Sequence, residues 1–588
     1  MNRGDLVRVA KGELPADLVV QNGTLVNVNS AEAYAAGVAI KGDRIAAVGD
    51  VDYTIGAGTE VLDARGRYLC PGLIDTHIHV GGSQLTMTEF ARAVIPKGTT
   101  VISTDFYEIG VVAGVAGIRL FLDEAKKTPL KVLFTIPLHH YLGHGPFGNT
   151  SAIRATDLRQ MMSWPECLGL SEWNVFLWEL PDDEIRDLLA AAWQEKKLVG
   201  GHFAQIPTSL VNASAALGIY SEHEAAGAAE TLEKIRAGVH IQVRQGSAAF
   251  DLAKVVKAIT EDSIDARHFS FCSDEQEADG LVLDGHIDLK VRMAIANGVP
   301  PLTAVQMASL NAAEYFGVAN DLGSIAPGKI ADVVLVDELV KFNVMAVIAD
   351  GKVVGRDGRY IGTLEPASYP KRFFNTVKVG KAADPEDFKV SCPLASSQRA
   401  LVRVIGIVEG SLVTEAREVY LPVEDGEVLS DPDRDVAKVA VLDRHQGSGR
   451  IGKGFVQGLG IRSGAVGSTF NPGLMNLVVA GTDDADMSVV ANRIAELGGG
   501  YVVARGGEVI GELPLPLLGI FSDQRVEDVV SKLEEINGAL REDVGSDVRG
   551  LHTALAFICL PVSIPALKIC DLGIVDVTKM AVVDLFVE

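Results

Sequence analysis

The stretch CPGLIDTHIHVGG, Cys70–Gly82, places two histidines one residue apart, just after an apolar run and a turn. In an extended strand, residues i and i+2 project to the same side, so His77 and His79 point together while Ile78 and Val80 face the opposite layer. Two imidazoles on one face can share a metal ion. A pair of hydrogen-bonded or partly exposed histidines would be spelled the same way, so the rest of the chain decides between the two readings.

The texture changes on either side of this stretch. The first seventy residues give short alternating segments, DLVVQNGTLVNV, GVAIKGDRIAAVG and TEVLDARGRYL, with turn signals at Asn22-Gly23, Lys41-Gly42 and Arg65-Gly66, which is the grammar of hairpins. The same texture returns in GSIAPGKIADVVLVD and VMAVIADGKVVGRDG, so the two flanks are expected to pair into one small composite β-sandwich. Between them, apolar strands alternate with helix-like stretches: TTVISTD then GVAGIRLFLDEAKK, KVLFTIPL, NVFLWEL then DDEIRDLLAAAWQEKK, LVGGHF, GIYSEH then AAETLEKIRAG, HIQVR and HFSFCSD. Repeated strand-then-helix units imply parallel strands, and eight of them close a (β/α)8 barrel, an α/β fold of the TIM type. The expected division is residues 1–70 and 321–369 for the β domain, 71–320 for the barrel and 370–588 for a C-terminal α/β domain. The charged, proline-containing KVGKAADPEDFKVSCPL marks the last boundary.

Composition narrows the partners. A length of 588 residues exceeds what one core supports and suggests roughly three to four domains. A formal net charge of -24 argues against nucleic acid and against an anionic membrane surface. The six cysteines, Cys70, Cys167, Cys272, Cys392, Cys559 and Cys570, show no CxxC spacing, so neither a disulfide framework nor a thiolate zinc site is indicated and a reducing, cytoplasmic compartment fits. The N-terminus MNRGDLVRVAKGELPADLVV carries charges throughout, and no window reaches the ~18 uninterrupted apolar residues of a membrane span. The expected partner is a small molecule.

In a parallel barrel the catalytic groups belong at the C-terminal ends of the strands. There the chain offers His77 and His79, then Glu172 after ECLGLS, His202 after LVGG, His223 after LGIYSE and Asp274 after HFSFCS. One strand-end Glu or His is commonly a solvated loop residue. The order His-x-His, Glu, His, His, Asp at one end of one architecture is a candidate ligand set. Mixed nitrogen and oxygen donors suit zinc, iron(II) or manganese, and a bridging carboxylate lets two such ions sit about 3.5–4 Å apart. Metal binding lowers the pKa of a water from about 15.7 to about 7, which supplies a hydroxide nucleophile at neutral pH.

These residues carry a resemblance. PGLIDTHIHV, LSEW, GHFAQ, YSEHE and CSDEQEADGLVLDGHID resemble the metal-binding strands of the amidohydrolase superfamily and, within it, of the adenine deaminases. VRMAIANGVPPLTAVQMASLNAAEYFG and GSIAPGKIADVVLVD continue the likeness, as do GRIGKGFVQGLGIRSGAVGST, NRIAELGGGYVV and ELPLPLLGIFSD near the C-terminus, which are specific to this branch. The resemblance implies hydrolytic deamination of adenine, or of a related aminated heterocycle, to an oxo product and ammonia, with two divalent transition-metal ions and a homodimer or larger assembly. Hydrolysis of a cyclic or exocyclic amide at the same centre is the alternative. A non-catalytic paralogue would be expected to have lost ligands. Under this reading Asp274 is both ligand and proton shuttle, and Glu108 is a catalytic candidate for a ring-nitrogen or supporting hydrogen bond, with Asp105 behind it as a candidate substrate contact; a carboxylate at a helix start would be spelled the same way. Arg244 stands as a substrate contact, a strand-end anchor or a salt-bridge partner. His140, with His139 and His144 in the loop after the third strand, stands as a pocket residue against a plain surface reading.

The departures fall where a substrate would be read. The family's usual Asp-Pro-His-Glu is Asp105-Phe106-Tyr107-Glu108, its Asp-Asp is Asp274-Glu275, and its Arg-Glu-Gly-Ser is Arg244-Gln245-Gly246-Ser247. Its His-Asp-Ser-His-Asn segment is replaced by FNPGLMN, Phe470–Asn476, and PLHHYLGHGPFGN stands in place of a Ser-Cys-Val-Pro type loop.

Overall fold

The computed structural model describes residues 3–137, 147, 153–173, 183–393, 397–561 and 564–587. Eight parallel strands pair in chain order: β1 (Leu73–Asp75), β2 (Thr99–Thr104), β3 (Lys131–Pro137), β4 (Cys167–Trp173), β5 (Leu198–Gly201), β6 (Ser221–Glu222), β7 (His240–Arg244) and β8 (Phe269–Cys272). Strand β2, TTVIST, is buried along its whole length and rich in β-branched residues, as expected of a parallel strand covered on both faces. The barrel closes just past the ends of β1 and β8. There the Thr76 N–H donates to the Phe271 carbonyl (3.1 Å), the His79 N–H to the Asp274 carbonyl (2.8 Å) and the Asp274 N–H to the His77 carbonyl (2.9 Å). Closure therefore runs through the residues that carry the candidate ligands. The segment NVFLWEL, read above as a strand, lies outside the described residues, and the eight strands pair without it.

The two flanks meet in one nine-stranded sheet. Tyr68–Pro71 runs antiparallel to Val333–Val336, with Leu69 opposite Leu335 and Cys70 opposite Val334. At the far edge, Arg44–Gly49 comes back to the segment before Val333. The Ile45 N–H donates to Lys329 (2.9 Å) and the Ala331 N–H to Asp43 (2.8 Å), folding the sheet over an apolar layer that includes Val20, Leu25, Ile40, Leu69 and Val333.

The C-terminal region forms a second nine-stranded sheet from residues 399–514. It is antiparallel except where Arg399–Ile407 meets Ile451–Gln457, and helix Asp484–Leu497 packs on it. A separate three-stranded sheet spans residues 567–582. This region is docked on the barrel: Phe121, on the helix after β2, lies 4.8 Å from Phe521 between ring centroids, and one apolar core runs through both. Among the described residues no helix is long and apolar enough to cross a membrane.

Candidate metal centre

Beyond β1 the chain stays extended through His79 (φ −95°, ψ 104°), and both imidazoles enter the mouth of the barrel with their Nε2 atoms 3.1 Å apart. The two nitrogens face Oε1 of Glu172 at 3.3 and 3.0 Å, and Oδ1 of Asp274 at 3.8 and 3.5 Å. Across Glu172, His202 Nδ1 and His223 Nε2 lie 3.2 Å from each other and 4.0 Å each from the same Oε1. One carboxylate oxygen is thus surrounded by two pairs of imidazole nitrogens. All six residues are between 2 and 4% exposed. Glu172 and Asp274 both hold left-handed backbone (φ 55° and 59°), a conformation uncommon outside glycine that collects at binding sites.

The charges call for cations. Burial opposes protonation of His77 and His79, yet Glu172 and Asp274 raise the former, and Asp105 and Glu172 raise the latter well above the ordinary imidazole value. Burial and the neighbouring His77 and His202 hold His223 well below it, in the neutral form that ligates metals. Burial pushes Asp274 up, but Arg244 with His79 and His77 outweighs it and keeps the carboxyl below its usual range. Glu275 goes the other way, driven well up by burial and by the charge of Asp274 beside it.

A second layer fixes these groups. Asp105 Oδ1 pairs with His79 Nδ1 (3.2 Å), which leaves Nε2 as the lone-pair nitrogen, while Asp105 Oδ2 accepts from the Ser171 hydroxyl (3.2 Å). Asp75 Oδ1 accepts the N–H groups of both His77 (3.1 Å) and Ser273 (3.2 Å), and its Oδ2 meets His286 Nε2 at 2.8 Å, so one buried carboxylate ties the ends of β1 and β8 together. Arg244, 2% exposed, donates to Glu224 (2.5 Å), Asp251 (2.7 Å) and Asp274 (3.2 Å). Glu108 Oε1 accepts the Gly81 N–H at 2.7 Å; a Cβ at Gly81 would lie 2.7 Å from Glu108 Cγ, so the approach requires glycine. The Oε2 atoms of Glu108 and Glu275 are buried with no hydrogen-bond partner among the described residues. His139, His140 and His144 lie outside the described residues.

Glu224, Asp75 and His286 fall inside the quoted segments YSEHE, PGLIDTHIHV and CSDEQEADGLVLDGHID without being singled out there as site residues.

Comparison with known proteins adds the whole chain to this geometry. The sequence model of the amidohydrolase family matches residues 68–354, and that of the adenine deaminase C-terminal domain matches residues 411–581. The adenine deaminase of Moorella thermoacetica is 40% identical over 588 residues, covering 99% of this chain and 97% of that protein. Adenine deaminase 3 of Rhizobium meliloti is also 40% identical, covering 99% and 98%. The chain belongs to the adenine deaminase family. Against the usual pattern of the adenine deaminase family, Tyr107 stands edge-on to His79, with ring centroids 4.5 Å apart, directly beside the candidate ligands. The replaced segment FNPGLMN turns inward on itself: Asn471 Nδ2 donates to the Asn476 carbonyl, the Asn476 N–H donates back to Asn471 Oδ1 (2.9 Å), and Asn476 Nδ2 reaches Asp571 (3.2 Å).

Proposed function

We propose that this chain hydrolyses adenine to hypoxanthine and ammonia, using two divalent transition-metal ions drawn from manganese, iron and zinc. The observation that carries the reading is likeness to curated adenine deaminases over 99% of the chain, C-terminal domain included, in a protein whose four strand-end histidines gather around Glu172 Oε1. The donor chemistry fits the ions. His77, His79, Glu172 and Asp274 would hold one, and Glu172, His202 and His223 the other, an all-nitrogen-and-oxygen set suited to those metals. When bound, such ions lower the pKa of water and supply a nucleophile at neutral pH.

The side chains do the rest. Asp274 is held ionised by Arg244 at Oδ2 while its Oδ1 faces the first pair of imidazoles, so it can take the nucleophile's proton and pass it to the departing amino group. Glu108 and Glu275 each lie near His79 and each keep a buried Oε2 with no partner among the described residues, so these two side chains would hydrogen-bond the purine ring nitrogens. The barrel mouth and the docked C-terminal region keep these groups out of bulk water, which strengthens every charge interaction among them.

Ammonia release and ultraviolet spectra recorded with adenine, other aminopurines, aminopyrimidines and cyclic amides test this reading. Adenine is expected to be turned over, with kcat/KM on the order of 10²-fold above the other compounds. Ring opening of a cyclic amide without purine turnover would replace it with an amidase reading.

A further inference from the structure

We propose that Glu224 is a ligand of the ion held by His202 and His223, so that the centre has seven donors where the strand-end pattern shows six. The inference rests on the metal reading above and extends it by one residue. Glu224 is 2% exposed, and its Oε1 lies 3.3 Å from His223 Nε2 and 3.8 Å from His202 Nδ1. Glu172 Oε1 is 4.0 Å from both of those nitrogens, so Glu224 approaches them more closely than the shared carboxylate does.

Direction separates a ligand from a supporting group. A carboxylate that only orients an imidazole pairs with the ring nitrogen turned away from the ion. Asp105 does this for His79: it meets Nδ1, while Nε2 faces Glu172. Glu224 meets the nitrogens that face Glu172, which are the ligand-side atoms. Spacing agrees as well. Donors about 2.0–2.2 Å from one tetrahedral ion lie about 3.4 Å from each other. The three separations among His202, His223 and Glu224, at 3.2, 3.3 and 3.8 Å, bracket that value.

Arg244 explains how a further carboxylate is tolerated there. Its Nη1 contacts both Glu224 Oε1 (2.5 Å) and Asp274 Oδ2 (3.2 Å), and its Nη2 contacts Asp251 (2.7 Å). A single guanidinium thus joins the unshared carboxylate of one ion's donor set to that of the other. Two dications balance the negative charge that this one cation leaves over.

The experiment uses the full-length chain, stripped with a chelator and reloaded with Mn(II). Bound metal is counted by elemental analysis and affinities are read by titration calorimetry for wild type, Glu224→Ala, Glu224→Gln and Asp251→Asn. Wild type is expected to bind two ions. Both Glu224 variants should retain one and bind the second at least about 100-fold more weakly. Asp251→Asn, which takes a partner from Arg244 but no donor from the ions, should keep two. If Glu224→Ala does not fold, the isosteric Glu224→Gln supplies the reading. Two ions of wild-type affinity in the Glu224 variants would overturn the assignment, as would equal loss in Asp251→Asn, which would place the effect in Arg244. A wild type binding fewer than two ions would bring down the metal reading itself and this inference with it.

Discussion

At Asp274 the left-handed backbone brings one carboxylate into contact with both a guanidinium and the first histidine pair. If that carboxylate moves the proton, Asp274→Asn keeps the size and an oxygen donor while removing the base. Turnover at saturating metal should fall about 10²–10⁴-fold with metal content little changed. Joint loss of activity and metal, with both restored by added metal, would reduce Asp274 to a ligand. The six candidate donors could be singled out in the sequence because each closes a strand whose apolar run can be read locally, and the fold brings them together. Glu224 could not. Period-2 alternation would turn it away from His223, but β6 ends at Glu222, and beyond it the pleat no longer sets the side. Asp75 and His286 meet only through the closed barrel, so no local spacing betrays them.

The segment leaving β1 is the element that couples the site to the C-terminal region. Gly81 admits Glu108, Leu85 bridges to Ser522, and Gln84 Nε2 lies 3.1 Å from His552 Nδ1, whose Nε2 meets the Ser468 hydroxyl at 2.8 Å. Burial pushes the His552 imidazole down to about 3, so it is neutral in the fold. The folded value lies below the unfolded value of 6.5, so the unfolded chain takes up the proton first as pH falls, and stability is lost progressively from about pH 6.5 toward pH 3. From neutral pH to pH 5 this histidine is expected to cost about 2 kcal/mol. Denaturant melts of wild type and His552→Gln at the two pH values check this. The variant's stability should decline less with acid by that amount, and parallel decline would contradict the role given to His552. None of these contacts was legible in the sequence, since Gln84 and His552 sit in segments with ordinary local patterns and only docking joins them.

At the scale of the molecule, hairpin texture at both flanks announced the composite β sheet, and strand-helix repetition announced the barrel, because each pattern is periodic over a few residues. How the C-terminal region sits on the barrel depends on single pairings far apart in sequence, such as the Thr553 N–H and hydroxyl on Glu277 Oε1 (3.1 and 2.6 Å) and Arg549 on Asp284 (2.5 Å). The chemistry proposed for this architecture is hydrolysis of adenine at two metal ions held in the barrel mouth. The most direct measurement is hypoxanthine formation by the chelator-stripped chain as Mn(II) is returned, plotted against ions bound per chain. The expected result is no product without metal and full recovery as loading reaches two ions. Hypoxanthine formed by the stripped chain, or none at any loading, would contradict it.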